Sequence, residues 1–343
     1  MGEAGQAELN AARLLLERIG VSPLDLLADV QGKSSAPTFD DYVPVVMASL
    51  TAGTRKSYGT YLHRAAERWG SRPIDSVSPS EIRSFLADLL AAMQVRRNAR
   101  GGRGTQENAI AALRCLYRRA TADGFMRETD NPALKVSKPK RLPSTRRALP
   151  DAQLQEINVA AVSGGDDPEL DGLLVRLHTE TACRRGGALS LRPEDLDVEQ
   201  CLILLREKGG TFRWQPVSPT LMRHLQQHGE QRGAVFGTAL LRYRDRHALT
   251  YRHYDHLWVR IGKVVPWVAS QQISTHWLRH TTLTWVERNF GYAIARAYAG
   301  HSEGVGGDVG ATAAYVRASM QELAQALSAL TGEQHPLAAV VPR

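Results

Sequence analysis

Apolar residues at helical spacing dominate the first half of this chain. Between residues 82 and 90 they recur every three or four positions, which places them on one face of a helix: Ile82, Phe85, Leu86, Leu89 and Leu90. Ser78 followed by Pro79 is typical of the N-cap and the first position of a helix. The pattern therefore predicts an amphipathic helix that begins at Pro79.

Three more stripes of this kind lie between residues 36 and 141. They consist of Tyr42, Val45, Val46 and Leu50; of Tyr58, Leu62 and Ala65; and of Ile110, Leu113, Leu116 and Tyr117. The basic, glycine-rich stretch 96–104 precedes the last stripe and is typical of a loop. We therefore predict a compact four-helix domain over residues 36–141.

The second half is also mostly helical, but it contains a pair of strands. Residues 202–205 form an apolar run, residues 208–210 a Lys-Gly-Gly turn, and residues 212–217 a return strand. A last long helix is expected over residues 318–330. The chain is thus predicted to be mainly α, with a second, α+β domain over residues 151–330 that contains a small antiparallel sheet.

The remaining segments carry less pattern. Residues 1–35 are expected to form a helical extension, residues 142–150 a basic linker, and residues 331–343 a frayed tail. Prolines and basic residues between 131 and 150 favour an extended connector over a helix. Such a connector suits a protein that wraps a nucleic acid duplex, and an ordinary exposed linker has the same composition.

Positive charge is concentrated in the middle of the chain. The formal net charge is +8, and residues 96–147 contain 14 Lys and Arg against 4 Asp and Glu, a local excess of +10. Such a band is typical of a phosphate-binding surface, and a solvated helix face plus a charged linker is the alternative.

The sequence also suggests the cellular compartment. It shows no signal peptide and no apolar run long enough to cross a bilayer, so no membrane partner is expected. Three widely spaced cysteines without a CxxC pair favour a reducing interior over a disulfide framework.

Separated polar residues in the second half are suited to a phosphodiester. Arg184 ends the turn Thr-Ala-Cys-Arg, from which its planar guanidinium can address two phosphate oxygens. His276 and Arg279 stand at helical spacing in His-Trp-Leu-Arg-His, so one helix can hold an imidazole beside a guanidinium. Tyr315 adds a hydroxyl that can act as a nucleophile.

The order of these motifs resembles the phage-integrase, or tyrosine recombinase, family. The matching segments are Thr-Ala-Cys-Arg-Arg (181–185), the hairpin turn with Lys208, Thr-His-Trp-Leu-Arg-His (275–280), Ala-Gly-His-Ser (299–302) and Thr-Ala-Ala-Tyr (312–315). The helical domain resembles the family's core-binding (SAM-like) domain. Gly187 departs from the pattern, because the family usually has at this place a glutamate thought to brace the site. The stretch between His301 and Tyr315 is also longer than usual.

The resemblance implies a site-specific DNA strand transferase, or integrase, with six catalytic residues. Tyr315 would attack a backbone phosphate and form a 3′-phosphotyrosyl bond, releasing a 5′ hydroxyl. The other five would be Arg184 and Arg279 for charge neutralisation, His301 as a hydrogen-bond donor, Lys208 as general acid and His276 as general base. The covalent intermediate conserves the bond energy, so no ATP, other cofactor or metal ion is implied.

The resemblance also implies partners. They are double-stranded DNA recombination sites of a mobile element or chromosome, four protomers on two such sites, and accessory DNA-bending or directionality factors, in the cytoplasm of a bacterium near its nucleoid. The C-terminal helix carries an apolar stripe that we expect to pack on a neighbouring protomer rather than to close its own domain: Met320, Leu323, Leu327 and Leu330. DNA contacts are expected from a basic set, Arg55, Lys56, Arg96, Arg97, Arg100, Arg103, Lys138, Lys140, Arg141 and Arg147.

Two other functions share parts of this chemistry. A type IB topoisomerase would relax DNA as a monomer, and a DNA-binding regulator with a dead site would have no use for Tyr315. The histidine pairs 276/280 and 224/228 have the spacing of metal ligands. Neither pair has an HExxH pattern or a third ligand, so no zinc site is expected.

Overall fold

The computed structural model describes residues 5–20, 36–92, 102–140, 146–207, 210–300 and 318–338. The chain divides into two compact units, an N-terminal unit (Met1–Pro143) and a C-terminal unit (Ser144–Arg343). Among the described residues, no helix combines the length and the apolar character needed to span a bilayer.

The N-terminal unit is mainly helical. Its helices are α1 (Gln6–Arg18), α2 (Phe39–Ser49), α3 (Ala52–Trp69), α4 (Pro79–Ala91) and α5 (Arg103–Ala122). The predicted helix start is confirmed, because the Ser78 hydroxyl accepts from the N–H of Glu81 and the Glu81 carboxylate accepts from the N–H of Ser78. This reciprocal pair satisfies two donors that the first turn of α4 would otherwise leave open.

The apolar faces of α2 to α5 meet in one core. Leu62, Ile82 and Leu113, all predicted to face inward, are buried there. An aromatic row crosses the core, with ring centroids 5.2 Å apart for Phe39 and Trp69 and 5.1 Å apart for Trp69 and Phe85. The predicted four-helix arrangement is therefore present in this unit.

Two local predictions for this unit are wrong. Val45 is 59% exposed rather than inward, because α2 buries a different face, formed by Phe39, Tyr42, Val43 and Val46. The predicted loop over residues 96–104 ends early, since α5 begins at Arg103 behind Gly102, whose φ of 74° is left-handed. Residues 96–101 of that loop lie outside the described residues.

The C-terminal unit combines helices with a small sheet. Its helices are α6 (Asp151–Val162), α7 (Pro168–Thr181), α8 (Arg185–Leu189), α9 (Pro219–Gln231), α10 (Tyr251–Val264), α11 (Pro266–Gln271), α12 (Thr275–Phe290), α13 (Tyr292–Tyr298) and α14 (Met320–Thr331). Its strands are β1 (Leu196–Asp197), β2 (Leu202–Arg206) and β3 (Phe212–Pro216).

The sheet is antiparallel, in the order β1-β2-β3. Leu204 of β2 pairs with Trp214 of β3, which confirms the predicted hairpin. The predicted mainly α fold with a small antiparallel sheet is confirmed as well.

The last helix packs into its own unit. Leu323 and Ala326 of α14 are buried in one cluster with Val286 and Tyr298, and Leu327 is fully buried too. The prediction that this stripe packs on a neighbouring protomer is wrong for the two leucines, because the unit itself already covers them.

The residues after α14 are anchored as well. Glu333 accepts from Nη2 of Arg176 at 2.5 Å and from the N–H of Thr220 at 3.1 Å. His335 is fully buried, with Nε2 3.1 Å from the carbonyl oxygen of Cys201. The predicted frayed tail is therefore wrong for residues 331–338, which are held by long-range polar contacts.

A buried histidine joins α7 to α10. Nδ1 of His178 lies 3.1 Å from the carbonyl oxygen of Cys183, and Nε2 lies 2.9 Å from the hydroxyl of Tyr254. A carbonyl can only accept, so Nδ1 carries the proton and Nε2 accepts from the tyrosine. Burial lowers the pKa of His178 to about 4, which keeps the ring neutral at physiological pH.

We expect acid to destabilise this unit through His178. The pKa is lower in the folded protein than its ordinary value of 6.5, so the unfolded chain binds more protons and stability falls as the pH drops from 6.5 to 4. This group alone should account for about 3 kcal/mol of the free energy of unfolding by pH 4. Urea unfolding at pH 7, 5.5 and 4 measures the loss. The His178→Gln variant does not titrate at this position and should show a flatter profile; an equally steep one would assign the effect to another group.

Candidate functional site

Arg184 lies at a sharp turn between two helices. α7 ends at Thr181, Ala182 adopts a left-handed φ of 50°, and Arg184 is the N-cap residue of α8. Nη1 of Arg184 donates to Oε2 of Glu207 at 2.8 Å, while the Arg184 side chain remains 39% exposed. The guanidinium is thus held by a carboxylate and still accessible to a ligand.

Arg279 ties this turn to a second one. It projects from α12 and is only 4% exposed. Nη1 donates to the carbonyl oxygen of Ala182, and Nη2 donates to that of Ala299 at 2.7 Å. The pKa of Arg279 is lowered to about 10, first by burial and then by the charges of Arg184 and Arg213. The group remains positive at neutral pH.

Arg213 of β3 fills the space next to the second turn. Gly300 has a left-handed φ of 64°, and a Cβ atom there would lie 2.4 Å from Cδ and Nε of Arg213. The Arg213 side chain is 12% exposed, and its Nη2 lies 3.5 Å from Oε1 of Glu207. Burial lowers the pKa of Arg213, and the neighbouring charge of Glu207 opposes that shift. Both the backbone conformation and the close contact therefore require glycine at position 300.

The cluster of Arg184, Arg213, Arg279 and Glu207 is electropositive. Three guanidinium groups share one carboxylate, and Glu207 pairs directly with two of them. Two positive charges of this set remain unbalanced. A planar guanidinium can donate to two oxygens of a phosphate at once, so a phosphate group is a suitable ligand here.

His276 stands beside this cluster, in the first turn of α12, and its side chain is exposed. The pKa of His276 is lowered, first by partial burial and then by the positive charges of Arg146, Arg279 and Arg184. Because the ordinary pKa of histidine is 6.5, the ring is mainly neutral at pH 7 and can accept a proton.

The structure brings together three of the six residues singled out from the sequence, Arg184, His276 and Arg279. The other three, Lys208, His301 and Tyr315, lie outside the described residues.

Glu207 and Arg213 were not predicted from the sequence. The one signal that could have led to Glu207 was Gly187. The family usually has a glutamate at this place, so its absence suggests that an acid from another part of the chain pairs with Arg184. Nothing in the pattern distinguished Arg213 from an ordinary strand residue, because its role depends on contacts with residues distant in the chain.

The predicted DNA-binding residues divide into three groups. Arg55 is exposed, but its guanidinium donates to three carbonyl oxygens at the end of α2, those of Met47, Ala48 and Leu50. This contact caps α2 and favours a structural role over a phosphate contact. Other exposed members of the set are Lys56, Arg103, Lys138, Lys140 and Arg147. Members outside the described residues are Arg96, Arg97, Arg100 and Arg141.

The histidine pairs with metal-ligand spacing are not assembled into a metal site. His228 is buried, and its Nε2 accepts from the N–H of Arg242 at 3.2 Å. Within the ranges that the structure describes, no group of three or more His, Cys, Asp or Glu is placed to hold a metal ion.

Comparison with known proteins identifies the family. The model of the phage integrase family matches residues 147–322, which is more than half of the chain. This chain belongs to the phage integrase family. The match includes every residue of the candidate site described above, from Arg184 to Gly300.

Curated relatives of this phage integrase family member are bacterial recombinases. The tyrosine recombinase XerD of Mycobacterium leprae is 27% identical over 199 residues, which cover 55% of this chain and 61% of that protein. The tyrosine recombinase XerC of Pelobacter propionicus is 27% identical over 229 residues, 64% of this chain and 69% of that protein. The alignment thus spans less than two thirds of the XerD relative's own length.

Solved structures share the fold. A lambda integrase tetramer bound to a Holliday junction superposes with a TM-score of 0.61 at 16% identity, covering 93% of this chain and 88% of that one. The Tn1549 transposon integrase in complex with circular intermediate DNA has a TM-score of 0.58 at 18% identity, covering 84% of this chain and 98% of that one.

We expect the Gly300→Ala variant to lose stability for two reasons. The added Cβ meets Arg213 at 2.4 Å, and the left-handed backbone strains any residue with a side chain. Gly332→Ala is the matched control, because Gly332 has a φ of 71° but nothing within 4 Å of its Cβ position. Urea unfolding should show a loss greater by about 1 kcal/mol or more for Gly300→Ala. Equal losses would mean that Arg213 does not hold this turn.

Proposed function

We propose that this protein is a site-specific DNA recombinase that cuts and rejoins DNA strands through a covalent 3′-phosphotyrosine intermediate. The observation that carries the proposal is the electropositive cluster of Arg184, Arg213 and Arg279 around the single carboxylate of Glu207. A DNA backbone phosphate carries one negative charge and would offset part of the positive excess of this cluster.

The two arginines singled out from the sequence contribute differently. Both terminal nitrogens of Arg279 donate to backbone carbonyls, so Arg279 acts mainly as a fixed positive charge beneath the phosphate. Arg184 is partly exposed and offers its guanidinium to the non-bridging oxygens. Charge placed in advance where negative charge develops lowers the barrier, typically by a few kcal/mol for each donor.

The reaction conserves atoms and charge. The Tyr315 oxygen attacks the phosphorus in line, the bond from phosphorus to the 5′ oxygen breaks, and a 3′-phosphotyrosyl bond forms. His276, which is mainly neutral at pH 7, takes the phenolic proton. Lys208 gives a proton to the leaving 5′ oxygen, and His301 donates a hydrogen bond to the phosphate. The reverse steps rejoin a strand, so no external energy source is needed.

Lys208 and His301 are each next in sequence to a residue of the arginine cluster or its immediate surroundings. Lys208 directly follows Glu207, which pairs with Arg184, and His301 directly follows Gly300, which contacts Arg213. These neighbours support the assignment of Lys208 and His301 to the same site.

We further propose double-stranded recombination sites as the substrate and a homotetramer on paired sites as the active assembly. The lambda integrase with this fold forms a tetramer on a Holliday junction, and the Tn1549 transposon integrase binds circular intermediate DNA. The curated relatives are bacterial, which supports action on bacterial DNA in the cytoplasm. Accessory DNA-bending or directionality factors would select the sites.

Tyr315→Phe should abolish covalent capture of DNA, because a phenyl ring has no nucleophilic oxygen. The substrate is a set of nicked duplex fragments from the source genome, and the readout is a slower protein–DNA band on a denaturing gel. Tyr298→Phe is the matched control and should keep the band, since Tyr298 is fully buried and its hydroxyl donates to the carbonyl oxygen of Glu180. A band that persists in Tyr315→Phe and disappears in Tyr298→Phe would show that the wrong tyrosine was chosen. A wild type that gives no band on any fragment would favour a regulator with a dead site.

Lys208→Ala should cleave normal DNA poorly but recover on DNA whose bridging 5′ oxygen is replaced by sulfur. A thiolate leaves without a proton, so the general acid is no longer needed. Arg184→Ala is the control and should remain slow on both substrates, because its proposed contribution is charge. If sulfur does not help Lys208→Ala more than it helps Arg184→Ala, Lys208 is not the acid.

A further inference from the structure

We propose that Glu207 is a positioning residue of this site: a buried carboxylate on the hairpin that orients the guanidinium of Arg184 and lies against the place left open by Gly187. The inference rests on the function proposed above and adds a residue that neither the sequence motifs nor the relatives assign.

Burial makes the placement of Glu207 specific. Its side chain is 3% exposed, and its carboxylate accepts from Arg184 at 2.8 Å and lies 3.5 Å from Arg213. A buried carboxylate is tolerated only where opposite charge and hydrogen-bond donors meet it. The two guanidinium groups supply both, so the carboxylate and the arginines determine each other's positions.

Arg184 needs such a partner. An arginine side chain that is 39% exposed has many rotamers, and fixing one of them loses conformational entropy. A charged hydrogen bond to a buried, immobile acceptor selects one orientation before a ligand arrives. Orientation in advance is what a phosphate-binding arginine requires for catalysis.

Position 187 lies directly beside this carboxylate. A Cβ atom at position 187 would lie 3.8 Å from Oε1 of Glu207 and 3.6 Å from the carbonyl oxygen of Arg206, both ordinary contacts. Gly187 belongs to α8, and its φ is not left-handed, so its backbone does not require glycine. A side chain from helix α8 and a side chain from the hairpin can therefore deliver an acid to the same place, and this chain uses the hairpin.

The same residue also closes the hairpin. The N–H of Glu207 donates to the carbonyl oxygen of Thr211 at 2.8 Å, and Lys208 lies between these two residues in sequence. One residue thus orients Arg184 through its side chain and joins the two sides of the hairpin through its backbone.

The test transfers the acid from the hairpin to the helix. The variants are Glu207→Ala, Glu207→Gln, the double variant Glu207→Ala/Gly187→Glu, and Gly187→Ala, which adds the Cβ at position 187 without a charge. The first readout is the ¹⁵N–¹H signal of the Nη groups of Arg184, which donate to Glu207, assigned with Arg184→Lys, together with its exchange rate with water. The second readout is the rate of covalent capture on a nicked DNA site.

We expect the Arg184 signal to be sharp and slowly exchanging in the wild type and in Gly187→Ala. The signal should broaden and exchange faster with water in Glu207→Ala, and change in the same way but less in Glu207→Gln. In the double variant it should again be sharp and slowly exchanging. The rate of covalent capture should fall about ten- to a hundredfold in Glu207→Ala and recover to within about threefold in the double variant. A purely structural role of Glu207 in the hairpin would not be restored by an acid placed on helix α8.

Two results would overturn the proposal: an Arg184 signal unchanged by loss of the Glu207 carboxylate, or a double variant that restores neither the signal nor the rate. If Glu207→Ala does not fold, Glu207→Gln keeps the shape of the side chain and decides through the same signal. If the wild type captures no DNA, the proposed recombinase function fails, and the Arg184 signal still decides whether Glu207 orients this arginine.

Discussion

The candidate site depends on the two hydrogen bonds that the guanidinium of Arg279 donates. Its two terminal nitrogens bond the carbonyl oxygens of Ala182 and Ala299. The first carbonyl belongs to the turn that presents Arg184, and the second to the turn that ends at Gly300. Segments more than a hundred residues apart in sequence are thereby held by one rigid, planar group, and the geometry of the arginine cluster follows from it.

Holding three guanidinium groups together works against folding. Burial and mutual repulsion lower the pKa of Arg279 to about 10, which means that the folded state disfavours its charge. Glu207 offsets part of this repulsion, and the apolar clusters of the C-terminal unit supply the opposing free energy. An anion bound in this cluster would offset part of the remaining repulsion and would therefore stabilise the folded unit.

The outcome of the sequence predictions follows the range of the interactions involved. Features set by neighbouring residues were predicted correctly, including the N-cap at Ser78, the hairpin of β2 and β3, and the helix-opening turn at Arg184. Failures occurred where a distant contact decided the result. Val45 has the right spacing but lies outside the face that α2 buries, and the leucines of α14 that were expected to pack on a neighbouring protomer are covered within their own unit.

Periodicity and motif order alone were enough to indicate a mainly α chain with a small sheet, a basic central band and a set of residues suited to a phosphodiester. These properties depend on residue type and on spacing along the chain, which a helix or strand converts directly into a shared face. Other features depended on which segments meet in space. They are the pairing of Glu207 with Arg184 and Arg213, the position of Gly187 beside the Glu207 carboxylate, and the burial of α14 and His335. Only the tertiary structure decided them. The partner of a buried charge or of an apolar stripe comes from packing between segments that are distant in sequence, not from its sequence neighbours.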